Sequence, residues 1–95
     1  MHNNHFKIIV PFYNVERWIK RTIKSVKLQN YENFQCILID DISTDNSRKE
    51  ALKYINDDER FTLVENKEKK YTLLNIRDTL TNINPDEDDV VVIVH

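Results

Sequence analysis

The feature that most constrains the fold is an alternation of short apolar runs with longer segments of helical periodicity. The apolar runs, rich in β-branched and aromatic residues, cover positions 6–10, 34–39, 61–64 and 90–94. Three of the four contain an uninterrupted apolar stretch, at 8–10, 36–39 and 90–94, as strands do when helices cover both faces of a parallel sheet. The sequence therefore predicts the order β-α-β-α-β-α-β and a Rossmann-like, three-layer α/β/α fold with a mostly parallel four-stranded sheet.

The first predicted helix has the clearest pattern of the three, with basic residues around an apolar stripe of Val15, Ile19, Ile23 and Val26. We expect Pro11 to end the first strand and Asn14 to cap this helix. For the second helix, Thr44 or Asp45 is the expected cap, and the predicted inner face is Ala51, Leu52 and Ile55. The third helix is marked by Leu73, Leu74, Ile76, Arg77, Leu80 and Ile83.

Composition excludes several classes of function. The 95 residues predict a single domain over 1–95, and a net charge of −2 gives no bulk case for binding nucleic acid. The longest aliphatic run, 90–94, is far short of the roughly 20 residues that cross a bilayer. The one cysteine, Cys36, lies in an apolar run, which predicts a buried thiol and a reducing, cytoplasmic location. Glycine is absent, which excludes the glycine-rich phosphate loops.

Two adjacent carboxylates, Asp40 and Asp41, stand where the second predicted strand ends. Strand alternation should point them to opposite sides of the sheet, which eases their repulsion. Ligands of such sheets bind at the carboxyl ends of the strands, where the segments "PFYN" and "DDIST" both lie. On this pattern alone the pair are either two aspartates that begin a loop or part of a ligand site. We expect Asp40 to hold the loop by accepting backbone N–H groups.

Three segments carry a family resemblance: "IIVPFYNVERWIKRTIKSV", "LQNYENFQCILIDDISTDNS" and "ENKEKKYTLLNI". They resemble the N-terminal half of family 2 glycosyltransferases, which have the GT-A fold and use nucleotide-sugar donors. The resemblance covers nearly the whole chain from Lys7 onward. The usual glycine of D-D-G-S is Ile42 here, a change that fits if Ile42 keeps a negative φ. The family's metal motif, D-x-D, would follow the fourth strand and is not in this sequence, so the chain looks truncated before it.

The resemblance also implies roles for individual residues. It places Asp41 against the nucleotide base, Pro11 and Tyr13 along the base pocket, and Lys70 near the base or diphosphate. An ionised carboxylate only accepts hydrogen bonds, which suits the imide N–H of uracil, with guanine second and adenine disfavoured. A UDP-sugar is therefore the expected donor. The expected metal is Mg or Mn, held outside this chain, so we predict nucleotide binding but no turnover and name no catalytic residue.

Two other functions remain open from the sequence. One is a receiver-like signalling domain, although such domains place their acidic pair after the first strand. The other is a non-catalytic interaction module that uses the basic face of the first helix. "DEDD", residues 86–89, is expected to be a solvated turn, and His2, His5 and His95 lack metal-ligand spacing. An open edge on the fourth strand predicts self-association.

Overall fold

The computed structural model describes residues 6–28, 34–83 and 90–94. Their elements follow the predicted order, with four strands and three helices. The elements are β1 (Phe6–Phe12), α1 (Ile19–Leu28), β2 (Phe34–Asp40), α2 (Ser47–Ile55), β3 (Phe61–Glu65), α3 (Tyr71–Ile83) and β4 (Val90–Ile93). The predicted "DEDD" turn and the three histidines lie outside the described residues.

The four strands form one sheet in the order β3-β2-β1-β4, and every neighbouring pair is parallel. The first two crossovers step outward from β1 to β3, and the third returns to the other side of β1. The strand order therefore reverses between β1 and β4, which is where ligands bind in sheets of this kind. The predicted three-layer α/β/α class is confirmed, with an all-parallel sheet.

Alternate residues of β1 and β2 serve the two faces of the sheet. Ile8, Val10 and Phe12 belong to the core cluster with Cys36 and Leu38. The predicted stripe of α1 packs there too, since Ile19, Ile23 and Val26 are buried, and Ala51 and Ile55 of α2 join them. The opposite face carries Ile37 and Ile39, which line a groove beside α3. The predicted Leu52 is not on the inner face of α2, because its side chain is 47% exposed.

Pro11 does not end the first strand, because β1 continues through Pro11 to Phe12. The backbone oxygen of Ile9 accepts from Val94 on the β4 side, and that of Phe12 accepts from Asp41 on the β2 side. Since Pro11 is two residues from Ile9, its missing N–H faces the β4 side. Pro11 comes after the last residue of β1 that pairs with β4, which is Ile9 opposite Ile93. A proline is therefore tolerated inside this strand without the loss of a described ladder bond.

The expected cap of α1 was also wrong. The regular helix begins at Ile19, after a turn in which Val15 O accepts the N–H groups of Trp18 and Ile19, both at 2.8 Å. Asn14 lies five residues before Ile19, and its side chain bonds to Thr44 instead. The two expected helix caps, Asn14 and Thr44, are thus paired with each other across two loops.

β4 is an edge strand of the described sheet, paired only with β1. Self-association of the protein through the edge of β4 that faces away from β1 remains a prediction. Light scattering at increasing protein concentration would test it. None of the helices within the described residues has the length and apolar character needed to cross a membrane.

Candidate nucleotide site

The loops that follow β1 and β2 are joined by a set of hydrogen bonds around Asn14. Its backbone N–H donates to Ser43 Oγ at 3.0 Å, and its side-chain oxygen accepts the N–H of Thr44 at 2.8 Å. Its side-chain nitrogen donates to Thr44 Oγ1 at 3.1 Å. Asn14 adopts a left-handed backbone conformation, φ 52°, which asparagine tolerates better than most residues. The segments "PFYN" and "DDIST" are therefore brought together, as predicted, and are held in register.

A second set of bonds surrounds the fully buried Ser47, the first residue of α2. Its hydroxyl donates to Asp45 Oδ1 and accepts the N–H of Val15 at 2.6 Å. Asp45 also accepts the backbone N–H of Ser47 at 2.9 Å, but the N-cap position of α2 is Asn46, so the expected cap at Thr44 or Asp45 was wrong. Desolvation raises the pKa of Asp45, but the hydrogen bonds from Ser47 and Glu16 outweigh it and the net shift is downward.

The two adjacent carboxylates, Asp40 and Asp41, bond to different parts of the chain. This difference explains how two like charges coexist at the end of β2. Asp40 Oδ1 accepts the N–H of Ser43 at 2.9 Å, inside its own loop, which confirms the expected role. Asp41 bonds to the segment that opens α3, with partners at residues 66 to 71. Both side chains are buried, each residue being 3% exposed. Neither is a solvated loop aspartate.

Asp41 holds the start of α3. Its carboxylate accepts the backbone N–H groups of Lys70 and Tyr71, each at 2.8 Å, and the amide of Asn66 at 3.0 Å. The Lys69 ammonium lies 3.4 Å from Oδ2. The first N–H groups of a helix lack intrahelical partners and carry partial positive charge, so a buried carboxylate suits them. All four acceptor positions of the carboxylate have a donor nearby.

These partners keep Asp41 ionised. Burial alone would raise the pKa of its carboxyl group. The N–H groups of Lys70 and Tyr71, the Asn66 amide and the Lys69 charge outweigh that effect and lower the pKa from 3.8 to about 2. At neutral pH the site therefore contains a fixed negative charge surrounded by donors.

The third of the resembling segments, "ENKEKKYTLLNI", has a structural role. Asn75, the asparagine of "LLN", is 2% exposed, and its side-chain oxygen accepts the Asn66 amide at 2.6 Å. Asn66 thus bridges Asn75 to Asp41 through one NH₂ group, and its backbone N–H donates to Asp40 O at 3.0 Å. The signal in the sequence was a polar residue at an otherwise inward-facing helix position, and we did not name it as a site residue.

Lys69 lines an open pocket of about 530 Å³ at the carboxyl ends of β1 and β2. Its ammonium lies 3.1 Å from the centroid of the Tyr13 ring and 5.2 Å from that of Tyr71. Asp41 O accepts from the same ammonium at 3.3 Å. The lining residues are Pro11, Phe12, Tyr13, Asp41, Lys69, Tyr71, Thr72 and Asn75. The pocket therefore combines an aromatic face, a buried carboxylate and a cation.

The predicted site residues separate into two groups. Pro11, Tyr13 and Asp41 line this pocket together, whereas Lys70 contributes to it only through its backbone N–H. The Lys70 ammonium pairs with Asp78 at 3.0 Å and lines a separate groove of about 320 Å³ between α3 and the sheet. Lys69 is the cation of the pocket, a residue that the sequence showed only as one of several lysines after β3.

Backbone strain is concentrated around the site. Asn14, Ile42 and Tyr71 have positive φ values of 52°, 62° and 62°. Ile42 does not keep the negative φ under which the change from glycine would fit, because the loop takes the left-handed turn that glycine usually supplies. For a β-branched residue this conformation is an outlier that costs energy. Such strain persists only where the surrounding contacts fix the chain, as the bonds of Asn14 and Asp41 do here.

The described residues do not fit a metal centre. They contain no cluster of three or more His, Cys, Asp or Glu side chains that could bind an ion. The acids nearest the pocket, Asp40, Asp41 and Asp45, each accept N–H groups, which leaves them poorly suited as ligands. A hollow of about 550 Å³ along α1 shares no lining residue with this pocket; it is lined by Arg17, Lys20, Arg21, Lys24, Ser25 and Leu28.

Sequence comparison supports what the geometry indicates. Residues 7–93 match the family described as Glycosyl transferase family 2. The chain belongs to this family. Since membership places its acidic pair in a glycosyltransferase loop, the receiver-like alternative is wrong, as is also clear from the separate partners of Asp40 and Asp41.

Family 2 relatives include EpsE of Bacillus subtilis (strain 168), named as a glycosyltransferase, which is 32% identical over 80 residues. That match covers 83% of this chain and 29% of EpsE. The UDP-Glc:α-D-GlcNAc-diphosphoundecaprenol β-1,3-glucosyltransferase WfgD of Escherichia coli is 41% identical over 59 residues, covering 62% of this chain and 22% of WfgD. The chain thus spans less than a third of the length of these relatives.

A solved structure shares the fold of this family 2 chain. It is the mannosyltransferase PcManGT from Pyrobaculum calidifontis in complex with GDP-Man and Mn²⁺, with a TM-score of 0.76 and 21% sequence identity. The match covers 86% of this chain and 25% of the mannosyltransferase. The described sheet and helices therefore form part of a GT-A, Rossmann-like fold.

Proposed function

We propose that this family 2 segment binds the nucleotide of a sugar-nucleotide donor, whose sugar the whole protein transfers to an acceptor hydroxyl. The observation that carries the proposal is the convergence of the Tyr13 ring, the Asp41 carboxylate and the Lys69 ammonium in one open pocket. The pocket lies at the carboxyl ends of the central strands, the usual position for a ligand of this fold. Its charges suit a base and a diphosphate in adjacent places.

The base would lie against Tyr13. Tyr13 is 46% exposed, and stacking of a base on an aromatic side chain contributes about 1–3 kcal/mol. Asp41 Oδ2 is the carboxylate oxygen that lies beside the partly exposed Lys69 side chain. A carboxylate oxygen there favours bases with a ring N–H on the facing edge, as uracil and guanine have, over adenine, whose ring nitrogen on that edge is an acceptor.

UDP is the nucleotide that we expect first, because uracil offers a single imide N–H to a single acceptor. WfgD is named for a UDP-Glc donor, and the mannosyltransferase was solved with GDP-Man. Both are nucleoside diphosphate sugars, which supports this class of donor for the present chain. A divalent ion, Mg or Mn, is expected to act in the whole protein, and the proposal assigns no step to it here.

A second proposal keeps the predicted role of Lys70, binding near the diphosphate of the donor. Its ammonium would have to leave Asp78, 3.0 Å away, before it reached a ligand in the Tyr13 pocket. The Lys69 side chain, in contrast, already lines that pocket. The nearest cation for the donor is therefore Lys69.

Isothermal titration of the protein with UDP, GDP and ADP tests the proposal. We expect UDP to bind more tightly than ADP, and Tyr13→Ala to weaken UDP binding roughly tenfold through the lost stacking. Trp18→Ala is the matched control, because Trp18 is an exposed aromatic residue, 55% exposed, just before α1 and outside the pocket. Equal affinity of the three nucleotides, or equal effects of the two variants, would contradict the proposal.

A change of Asp41 to alanine is not a clean test of base binding. It would remove the acceptor of two backbone N–H groups at the start of α3, and so disturb the fold together with the pocket. Tyr13, whose ring contacts are with the Lys69 side chain, avoids this difficulty.

A further inference from the structure

The Lys69 ammonium fills the position in which a bound base would lie. It sits 3.1 Å from the centroid of the Tyr13 ring, closer than the roughly 3.5 Å needed to stack a second ring on the first. The same ammonium is 3.4 Å from Asp41 Oδ2, the acceptor available to an imide N–H. A base cannot stack on this face of Tyr13 and reach this oxygen while Lys69 stays in place.

Lys69 is also the partner of Asp41 that can leave at the smallest cost to the fold. The other donors to the carboxylate are two backbone N–H groups and Asn66, which is itself fixed by Asn75. The Lys69 side chain is 30% exposed, against 4% for that of Asp41, and its contact with Oδ2 is the longest of the four. One rotation of this side chain would free both the ring face and the carboxylate oxygen.

We infer that Lys69 is an exchangeable cation that selects nucleoside diphosphates over nucleosides. In the free protein its ammonium occupies the base position, on Tyr13 and Asp41. Binding of the base displaces it, and the displaced ammonium then pairs with the diphosphate of the same ligand. A nucleoside without phosphates must displace Lys69 with no such compensation, so it binds weakly. This inference rests on the proposed function and adds a specificity-determining residue to it.

The physical reason is an exchange of partners for one charge. In the pocket the Lys69 ammonium has a cation–π contact with the Tyr13 ring and lies beside the buried carboxylate of Asp41. A diphosphate offers the ammonium stronger acceptors, and lysine binds phosphate as a point charge on a flexible stem. When UDP binds, its base therefore displaces the Lys69 ammonium from Tyr13 and Asp41, and its diphosphate gives the ammonium new acceptors.

Calorimetric titration of uridine and UDP with the wild-type protein and Lys69→Ala tests the inference. Alanine is chosen because methionine would itself pack on Tyr13. In Lys69→Ala we expect uridine to bind roughly tenfold more tightly, since nothing has to be displaced, and UDP to bind roughly tenfold more weakly. Lys67→Ala is the matched control, because it removes the same charge from an exposed position two residues away. It should leave the ratio of the two affinities unchanged.

A nuclear magnetic resonance measurement on the wild-type protein gives an independent readout. The ε-methylene protons of Lys69 should show an upfield ring-current shift from Tyr13 in the free protein, and UDP should abolish it. The ³¹P resonances of bound UDP should differ between the wild-type protein and Lys69→Ala.

The outcomes separate the two proposals. If UDP binds but Lys69 keeps its ring-current shift, or if Lys69→Ala lowers the affinities for uridine and UDP by the same factor, the exchange is overturned while the proposed function stands. If neither ligand binds either protein, the proposed function fails and the inference fails with it. An affinity ratio that changes as much in Lys67→Ala as in Lys69→Ala would overturn the exchange as a specific role of Lys69.

Discussion

The carboxylate of Asp41 and the backbone N–H of Tyr71 meet at 2.8 Å, which ties the loop after β2 to the first residue of α3. The same carboxylate faces the pocket through its contact with Lys69. One side chain therefore serves the fold and the proposed ligand. This double role explains why a buried charge is kept at the end of a central strand, where an unpaired carboxylate would be costly.

The first prediction concerns acid stability. Because the pKa of Asp41 is about 2 in the fold against 3.8 ordinarily, the ionised form stabilises the folded state at any pH above 3.8. As pH falls from about 4 through about 2, this contribution of about 2 kcal/mol should be lost. Urea unfolding of the wild-type protein at a series of pH values between 5 and 2 measures it.

Asp41→Asn should flatten this pH dependence and lower stability already at pH 5, because the amide carries no charge for the start of α3. Asp57→Asn is the matched control, since Asp57 is exposed in the turn after α2. A steep loss of stability in Asp41→Asn below pH 4, equal to that of the wild-type protein, would assign the acid transition to other carboxyl groups.

The sequence predicted the fold well because its signals were local and repeated. Uninterrupted β-branched runs indicated buried parallel strands, and the stripe of Ile19, Ile23 and Val26 indicated a helix that covers them. Each of these signals involves residues that are near in the chain, and the sheet then follows from the short list of allowed topologies. Where local signals conflicted, as at Pro11, the register of neighbouring strands decided the outcome.

The site was less predictable because it depends on partners distant in the chain. Asn14 and Thr44 are 30 residues apart and both resemble helix caps in sequence, yet they bond to each other. Which of Lys69 and Lys70 enters the pocket depends on the backbone direction at the start of α3, where Tyr71 has a φ of 62°. No periodicity encodes that angle. Asp41 could be named from the sequence, but its partners could not.

The second prediction concerns the bonds between the two loops. Ser47→Ala would leave the N–H of Val15 without its acceptor and Asp45 without one of its donors, in a fully buried position. We expect a loss of about 1–3 kcal/mol in the free energy of unfolding. Ser25→Ala is the control, since Ser25 is exposed on α1, and it should change stability little. Equal stability of the two variants in urea would show that the loops are held mainly by other contacts.

The third prediction uses the left-handed backbone of Ile42. Glycine relieves the clash between Cβ and the backbone, and Ile42 is 41% exposed, so little buried surface is lost. Ile42→Gly should therefore raise the free energy of unfolding by about 1 kcal/mol, after the greater chain entropy of glycine is deducted. Ile42→Ala keeps a Cβ and should give no comparable gain. If alanine stabilises as much as glycine, removal of an exposed apolar side chain is the cause instead.

The fourth prediction concerns the thiol of Cys36, which is fully buried in the core. Burial, with a smaller contribution from the nearby charge of Asp58, raises its pKa from 9.0 to about 12. Since the thiolate is the reactive form, the folded protein should be inert to a disulfide reagent at pH 8, and urea should make the thiol react in parallel with unfolding.

Asp41→Asn provides the internal comparison for this thiol measurement. It weakens the fold without touching Cys36, so its thiol should become reactive at a lower urea concentration than that of the wild-type protein. The shift should match the stability difference obtained from circular dichroism. Rapid labelling of the wild-type protein without urea would mean that β2 opens locally, and the central position of this strand in the sheet argues against such opening.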